Sequence, residues 1–358
     1  MDINKIADSF LFDGTLRDIR PFGAGHINNT YIADYTDKEY VLQEINTYVF
    51  KQPDKLMDNI INVTRFLRRK IEESEGDPER ETLHFIHTKD KKRYLTTEDG
   101  EVWRAYRFLE NSVCYDAADT PELFEKSGAA FGRFQKMLKD YNAESLFETI
   151  PHFHNTAWRY ENEFLPALSN APEELRENCG AEIDFITSKR HYMSVISDLI
   201  NEGIIPLRVT HNDTKLNNVL FDEQTDRALA VIDLDTVMPG SALYDFGDAI
   251  RYGANPADED ERDLSKVYLD LDYFKAYARG YLSEAELTEA ETDKLAMSAL
   301  VMTLELAMRF LTDYLNGNKY FKYDYPEHNL VRTRAQLKLA LDIEKKLDVM
   351  NRIVAELI

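Results

Sequence analysis

His211-Asn212-Asp213-Thr214-Lys215-Leu216-Asn217-Asn218 and, with its aspartate fifteen residues beyond Asn218, Ile232-Asp233-Leu234-Asp235 are two polar clusters. Between them lie two short apolar runs, Val219 to Phe221 and Ala228 to Ile232, joined by the turn-like Asp222-Glu223-Gln224-Thr225-Asp226. Such runs read as a β-hairpin, which can return the chain so that Asp233 faces Asn218 across a metal. The first cluster fits the pattern His-x-Asp-x-x-x-x-Asn. Phosphoryl transfer to a hydroxyl needs a carboxylate beside the acceptor oxygen, and an amide oxygen and a second carboxylate to hold Mg2+ on the phosphates. The two clusters supply all three. Either alone reads equally well as turn residues and a strand end; their order and separation carry the catalytic reading.

Upstream, Leu16 to Pro21, Asn29 to Asp34 and Glu39 to Ile45 are strand-like runs divided by glycines or by the Thr36-Asp37-Lys38 turn. Leu56, Ile60, Val63, Leu67 and Ile71 recur at helical spacing. Leu83 to Thr88, Arg93 to Thr97 and Glu101 to Leu109 read as further strands. Beyond residue 112 the pattern turns helical. Thr120-Pro121-Glu122 starts a helix whose buried face is Phe124, Phe131, Phe134 and Leu138. Ile183 to Ile200, Glu289 to Leu315 and Asn329 to Leu357 each read as one helix, and Ser283 to Glu286 and Thr288 to Glu291 each fit a capping box. The fold class is therefore α+β, with a sheet-rich N-terminal lobe over residues 1–112 and a mostly helical C-terminal lobe over 113–358.

The chain has 358 residues, and its 65 acidic against 43 basic side chains give a formal charge of −22, which repels nucleic acid and anionic membrane surfaces. Its two cysteines, Cys114 and Cys179, are too few for a disulfide framework, which points to a reducing, cytoplasmic setting. The first fourteen residues lack the pattern of a signal peptide, and the best apolar run, Ala299 to Met308, contains Glu305, so no membrane association is expected.

The catalytic clusters resemble those shared by protein kinases and the aminoglycoside phosphotransferase and choline kinase superfamily. Closer still, His211 to Lys215, Val231 to Gly240 and Tyr244-Asp245-Phe246-Gly247-Asp248 resemble bacterial N-acetylhexosamine 1-kinases, as do Gly25-His26-Ile27-Asn28 and Arg309-Phe310-Leu311. The resemblance implies a bilobal protein-kinase-like fold binding ATP and Mg2+, and transfer of phosphate to the anomeric hydroxyl of N-acetylglucosamine or N-acetylgalactosamine. It makes Asp213 the base, places Lys215 at the transferring phosphoryl group, and gives Asn218 and Asp233 the metal. It surrounds the sugar with His26, Thr236, Tyr252, Arg309 and Tyr320. His211 would brace the catalytic loop, with Asp245 and Asp248 as loop anchors or helix-cap acids.

Gly23-Ala24-Gly25-His26-Ile27-Asn28-Asn29 lies between two expected strands, as a phosphate-covering loop should, and an ordinary hairpin would look the same. Gly23, Gly25, Asn28 and Gln43 are the expected nucleotide-binding positions. Gln43 is a departure, because the wider superfamily carries a phosphate-binding lysine on that strand. A neutral amide cannot supply the charge, so either Lys215 and Mg2+ compensate or Gln43 is not the equivalent strand position, and Asp58 is a weak candidate for the usual helix acid. Tyr106 to Glu110 falls where an adenine-binding hinge or a plain strand end would lie. Arg309 also fits an i,i+4 ion pair with Glu305, Tyr252 and Tyr320 also fit as core aromatics, and His152-Phe153-His154 lacks a third ligand and reads as structural. The rival functions are a kinase for an aminoglycoside, choline or another sugar, and a nucleotide-binding pseudokinase suggested by Gln43.

Overall fold

The computed structural model describes residues 2–23 and 28–358. In chain order it contains α1 (Ile3–Ala7), β1 (Leu16–Pro21), β2 (Asn29–Tyr35), β3 (Glu39–Ile45), α2 (Pro53–Glu73), β4 (Phe85–Ile86), β5 (Leu95–Thr96), β6 (Val102–Arg107) and β7 (Ser112–Val113). There follow α3 (Pro121–Met137), α4 (Thr156–Arg159), α5 (Leu165–Asn170), α6 (Glu173–Asn178), α7 (Gly180–Ser188) and α8 (Val195–Asn201). Next come β8 (Arg208–Thr210), β9 (Val219–Asp222), β10 (Ala228–Val231) and β11 (Met238–Gly240). The chain ends with α9 (Ala242–Gly253), α10 (Leu271–Glu284), α11 (Glu289–Thr292), α12 (Leu295–Leu315) and α13 (His328–Leu357). Two compact units result: one holds the chain to Cys114 with Asp140–Pro151 and Val219–Met238, the other Tyr115–Lys139, His152–Asn218 and Pro239–Ile358. The sequence placed a single boundary at residue 112; the units interleave, and the chain returns to the first of them twice.

In the first unit an antiparallel sheet runs β1-β2-β3-β6-β4, and β5 also pairs with β6. Residues directly opposite in such a ladder share a face. Thr30 is opposite Gln43, and Gln43 is opposite Arg104, so the three form one row across β2, β3 and β6. On α2, Leu56, Ile60, Val63, Leu67 and Ile71 are all buried, as their spacing requires. Each such side chain contributes about 1.5–3 kcal/mol when removed from water. The expected hairpin forms with Val219 opposite Val231, and β7 adds a third strand to it. Val219 follows Asn218 directly, and Val231 lies two residues before Asp233.

The second unit is built on helices. Thr120 caps α3, accepting a hydrogen bond from the Leu123 amide at 3.3 Å, and Phe124, Phe131, Phe134 and Leu138 are buried. Backbones of α3 and α10 approach so closely that a Cβ on Gly280 would collide with the Glu125 carbonyl. Helix α12 has the length and apolar composition of a membrane span, but 83% of its apolar window is buried inside the protein. There Ala307, Met308 and Leu311 pack with Tyr160, Phe164 and Ile186, which makes α12 a core helix.

Three local expectations change. The run Ile183 to Ile200 is broken between α7 and α8, and at the break Lys189 and Tyr192 both bond Glu344, at 2.7 and 3.1 Å. The capping box at Thr288 and Glu291 forms, but α11 stops at Thr292 before α12 begins. Ser283 caps nothing: it lies in the last turns of α10, its hydroxyl donates to the Gly280 carbonyl at 2.7 Å, and Glu286 is taken by Lys139.

Candidate active site

Residues 211–218, the expected catalytic loop, belong to the second unit. After β8 the backbone enters the left-handed region at Asn212, with φ of 64°, a conformation costing a non-glycine residue about 1–3 kcal/mol unless neighbours hold it. Asp245, buried on α9, does the holding. Its carboxylate accepts from the amides of His211 at 2.9 Å and Asn212 at 2.7 Å and from the Gln135 side chain at 2.8 Å. Its own carbonyl accepts from the Thr214 hydroxyl at 2.6 Å. Burial holds the Asp245 carboxyl above the usual range despite the lowering effect of His211 and these amides. Asp245 is thus a loop anchor, while the cap of α9 is Ser241. Asp248 pairs with Arg251 at 2.9 Å.

His211 is buried edge-on between Phe131 and Phe134, and its Nδ1 accepts from the Asp213 amide at 3.3 Å, which suits a brace. Asn218 Nδ2 donates to the Asp213 carbonyl at 2.8 Å and to its Oδ2 at 3.2 Å. That fixes the Asp213 carboxylate and leaves Asn218 Oδ1, a hard oxygen donor of the kind Mg2+ and Ca2+ accept. Lys215 Nζ lies 3.2 Å from the other Asp213 oxygen and 5.7 Å from the centre of the Tyr252 ring. Asp213 is the main cause that raises Lys215 above the ordinary lysine value, burial opposing it, so the ammonium stays charged.

A second line of contacts leads from the loop to α12. His154 Nε2 is 3.2 Å from the Asn212 carbonyl and its Nδ1 is 2.8 Å from Glu305, which also accepts from the Thr156 hydroxyl at 2.7 Å. Glu305 lies 3.7 Å from the Arg309 guanidinium, so the i,i+4 pairing is present but beyond hydrogen-bond range. Rings of Phe153, Tyr320 and Phe321 surround that guanidinium with centroids 5.1, 5.9 and 5.7 Å away. Burial, and after it Arg159, pull Arg309 below its ordinary value. Tyr320 is 61% exposed and so is no core aromatic. His154 and Glu305 were not among the expected functional residues. Their signal is chemical: a carboxylate inside an apolar helix run has to be paired.

The remaining expected positions lie in the first unit or outside the described residues. Asp233 has φ of 55° and opens the turn Leu234–Thr236, which carries Asp235 and the buried Thr236. Asp235 Oδ1 takes the Arg104 guanidinium, and its Oδ2 accepts from Asn28 Nδ2 at 2.7 Å. Asn28 Oδ1 accepts from the Asn46 amide at 2.9 Å. Gln43 Oε1 accepts from Arg104 Nε at 2.9 Å and Nη2 at 2.6 Å, while Gln43 Nε2 donates to the Thr30 hydroxyl at 3.0 Å. The amides of Asn28 and Gln43 are thus committed within the protein at both ends. Gly23 has φ of 73°, a glycine conformation, and among the described residues nothing lies within 4 Å of where a Cβ would stand. Gly25 and His26 fall outside the described residues. Asp58 is ion-paired to Arg93, where it helps line a cavity of about 760 Å3 with Asp8, Asp54 and Leu95; it is not the acid of a lysine pair.

Residues 18–287 match the phosphotransferase enzyme family designated APH. The chain belongs to this family. As a phosphotransferase of the APH family it is a small-molecule kinase, and its fold recurs in solved structures of low sequence identity. One is a microcompartment-associated aminopropanol kinase, with TM-score 0.61 and 15% identity, covering 95% of each chain. Another is the amicoumacin kinase hAmiN in complex with AMP-PNP, Ca2+ and Ami, with TM-score 0.58 and 15% identity over 96% of this chain and 92% of that one. A third is a choline/ethanolamine kinase family protein from Mesorhizobium loti, with TM-score 0.57 and 14% identity over 99% of each. The α+β fold of the APH phosphotransferases, sheet-rich in its amino-terminal part and helical in its carboxy-terminal part, is the one read from the sequence.

Proposed function

We propose that this phosphotransferase transfers the terminal phosphoryl group of ATP to the anomeric hydroxyl of an N-acetylhexosamine, with Asp213 as base. The observation that carries the chemistry is the clamp on Asp213: Asn218 donates to one carboxylate oxygen and Lys215 stands beside the other. A carboxylate so oriented accepts the sugar's hydroxyl proton late, as the oxygen bonds to the terminal phosphorus and the bond from that phosphorus to ADP breaks. The Lys215 ammonium faces the phosphoryl oxygens. Asn218 Oδ1 and the Asp233 carboxylate would hold a divalent cation, Mg2+ by preference, since such cations take few protein oxygens alongside phosphates. When bound, it neutralises charge on the nucleotide phosphates. The Ca2+ and AMP-PNP in the complex of hAmiN are in keeping with a nucleotide triphosphate and a divalent cation as the cofactors.

A neutral amino sugar is favoured over an ammonium-bearing acceptor by Arg309, a guanidinium walled by rings, whose own field repels a cation. An acetamide carbonyl and sugar hydroxyls are acceptors for its donors, and the rings suit a pyranose face. We place Tyr252, beside Lys215, next to the acceptor, and assign His26 and Thr236 to the same sugar. With its negative charge and two cysteines, we place the enzyme in the cytoplasm, acting on a small molecule without nucleic acid or membrane. An ADP-release assay across hexosamines, an aminoglycoside and choline tests the acceptor: turnover is expected with N-acetylglucosamine or N-acetylgalactosamine. Activity confined to the cationic compounds would overturn the sugar assignment.

A further inference from the structure

Arg104 is 3% exposed at the centre of the strand Val102-Trp103-Arg104-Ala105-Tyr106, where a charge persists only if fully paired. All three guanidinium nitrogens are engaged, one on Asp235 and two on Gln43 Oε1. The sheet register makes this possible, since Gln43 and Arg104 stand directly opposite on β3 and β6. Gln43 on β3 is therefore a neutral relay between Thr30 and Arg104, and the cation sits one strand over on β6. Two residues before Asp235 is Asp233, in a left-handed conformation that its surroundings must maintain.

We infer that Arg104 is a positioning residue for Asp233: its fork on Asp235 and Gln43 fixes the Asp233-to-Asp235 turn against β3 and β6, and Asn28, just before β2, ties that turn to the start of that strand. A lysine cannot do this, because a point charge does not span two acceptors in fixed directions. The inference rests on the proposal that Asp233 holds a divalent cation with the nucleotide.

The test measures AMP-PNP affinity with and without Mg2+, together with melting temperature, for the wild type, Arg104→Lys, Arg104→Met and Gln43→Ala. The wild type should bind more tightly with Mg2+. In both Arg104 variants that gain should shrink about 10–100-fold, the usual cost of losing a residue that orients a metal ligand, with metal-free affinity retained. Gln43→Ala, which leaves the bond to Asp235, should lose less. Arg104→Lys keeps the charge, so the comparison survives if Arg104→Met does not fold. Variants that melt earlier yet keep the full Mg2+ gain would make Arg104 merely structural and overturn the inference alone. A wild type with no Mg2+ gain would overturn the role of Asp233 as well.

Discussion

Asp213→Ala is expected to lower turnover by roughly 10²–10⁴-fold, the scale of lost general-base assistance, while folding and AMP-PNP affinity stay near those of the wild type. The side chain is part-exposed and buries no core, so its loss removes little packing. Asn218 keeps its bond to the Asp213 carbonyl, which preserves the loop. Lys215 loses the carboxylate that does most to raise its pKa, while Asp248 and Glu259 still favour its charged form against burial. Steady-state ADP release, nucleotide titration and urea unfolding on the same preparations separate these contributions. Wild-type-like turnover would remove Asp213 from the mechanism.

Asp245→Ala should be the most damaging change away from the reacting atoms. It strips the acceptor from the His211 and Asn212 amides and from Gln135 in a fully buried site. Buried donors left unpaired cost about 1–3 kcal/mol each, so a stability loss of at least about 2 kcal/mol is expected in urea unfolding. The positive-φ kink at Asn212 loses its support as well, and an ångström of drift in the Asp213 carboxylate is enough for about 10²-fold in turnover. Full activity in a stably folded Asp245→Ala protein would show that the kink at Asn212 holds without it.

What was legible in the sequence is what depends on short range. Apolar spacing in α2 and α3 and the turn between β9 and β10 specify their elements locally, and the catalytic-loop pattern lies within eight consecutive residues. What was hidden depends on register and on distant partners. Gln43 looks like a missing charge until β3 and β6 set it opposite Arg104, 61 residues away. His154 and Glu305 are 151 residues apart, and only the folded chain joins them behind Asn212. Both cases carried a signal, a charged residue inside an apolar run, but not the identity of its partner. Ser283 failed for the opposite reason: its spacing to Glu286 satisfies a local rule, while packing of α10 against α3 carries the helix past it. Asp58 was misplaced because its partner, Arg93, sits on the connection between β4 and β5.

The nucleophile is the most direct test, because an anomeric kinase never breaks the bond between C1 and its oxygen. N-acetylglucosamine or N-acetylgalactosamine bearing heavy oxygen at the anomeric position should yield a 1-phosphate with the label in the bridge between carbon and phosphorus, and ADP in equal amount. Phosphate on the 6-hydroxyl, or no phosphorylation of either sugar beside good activity on another acceptor, would contradict the proposed reaction.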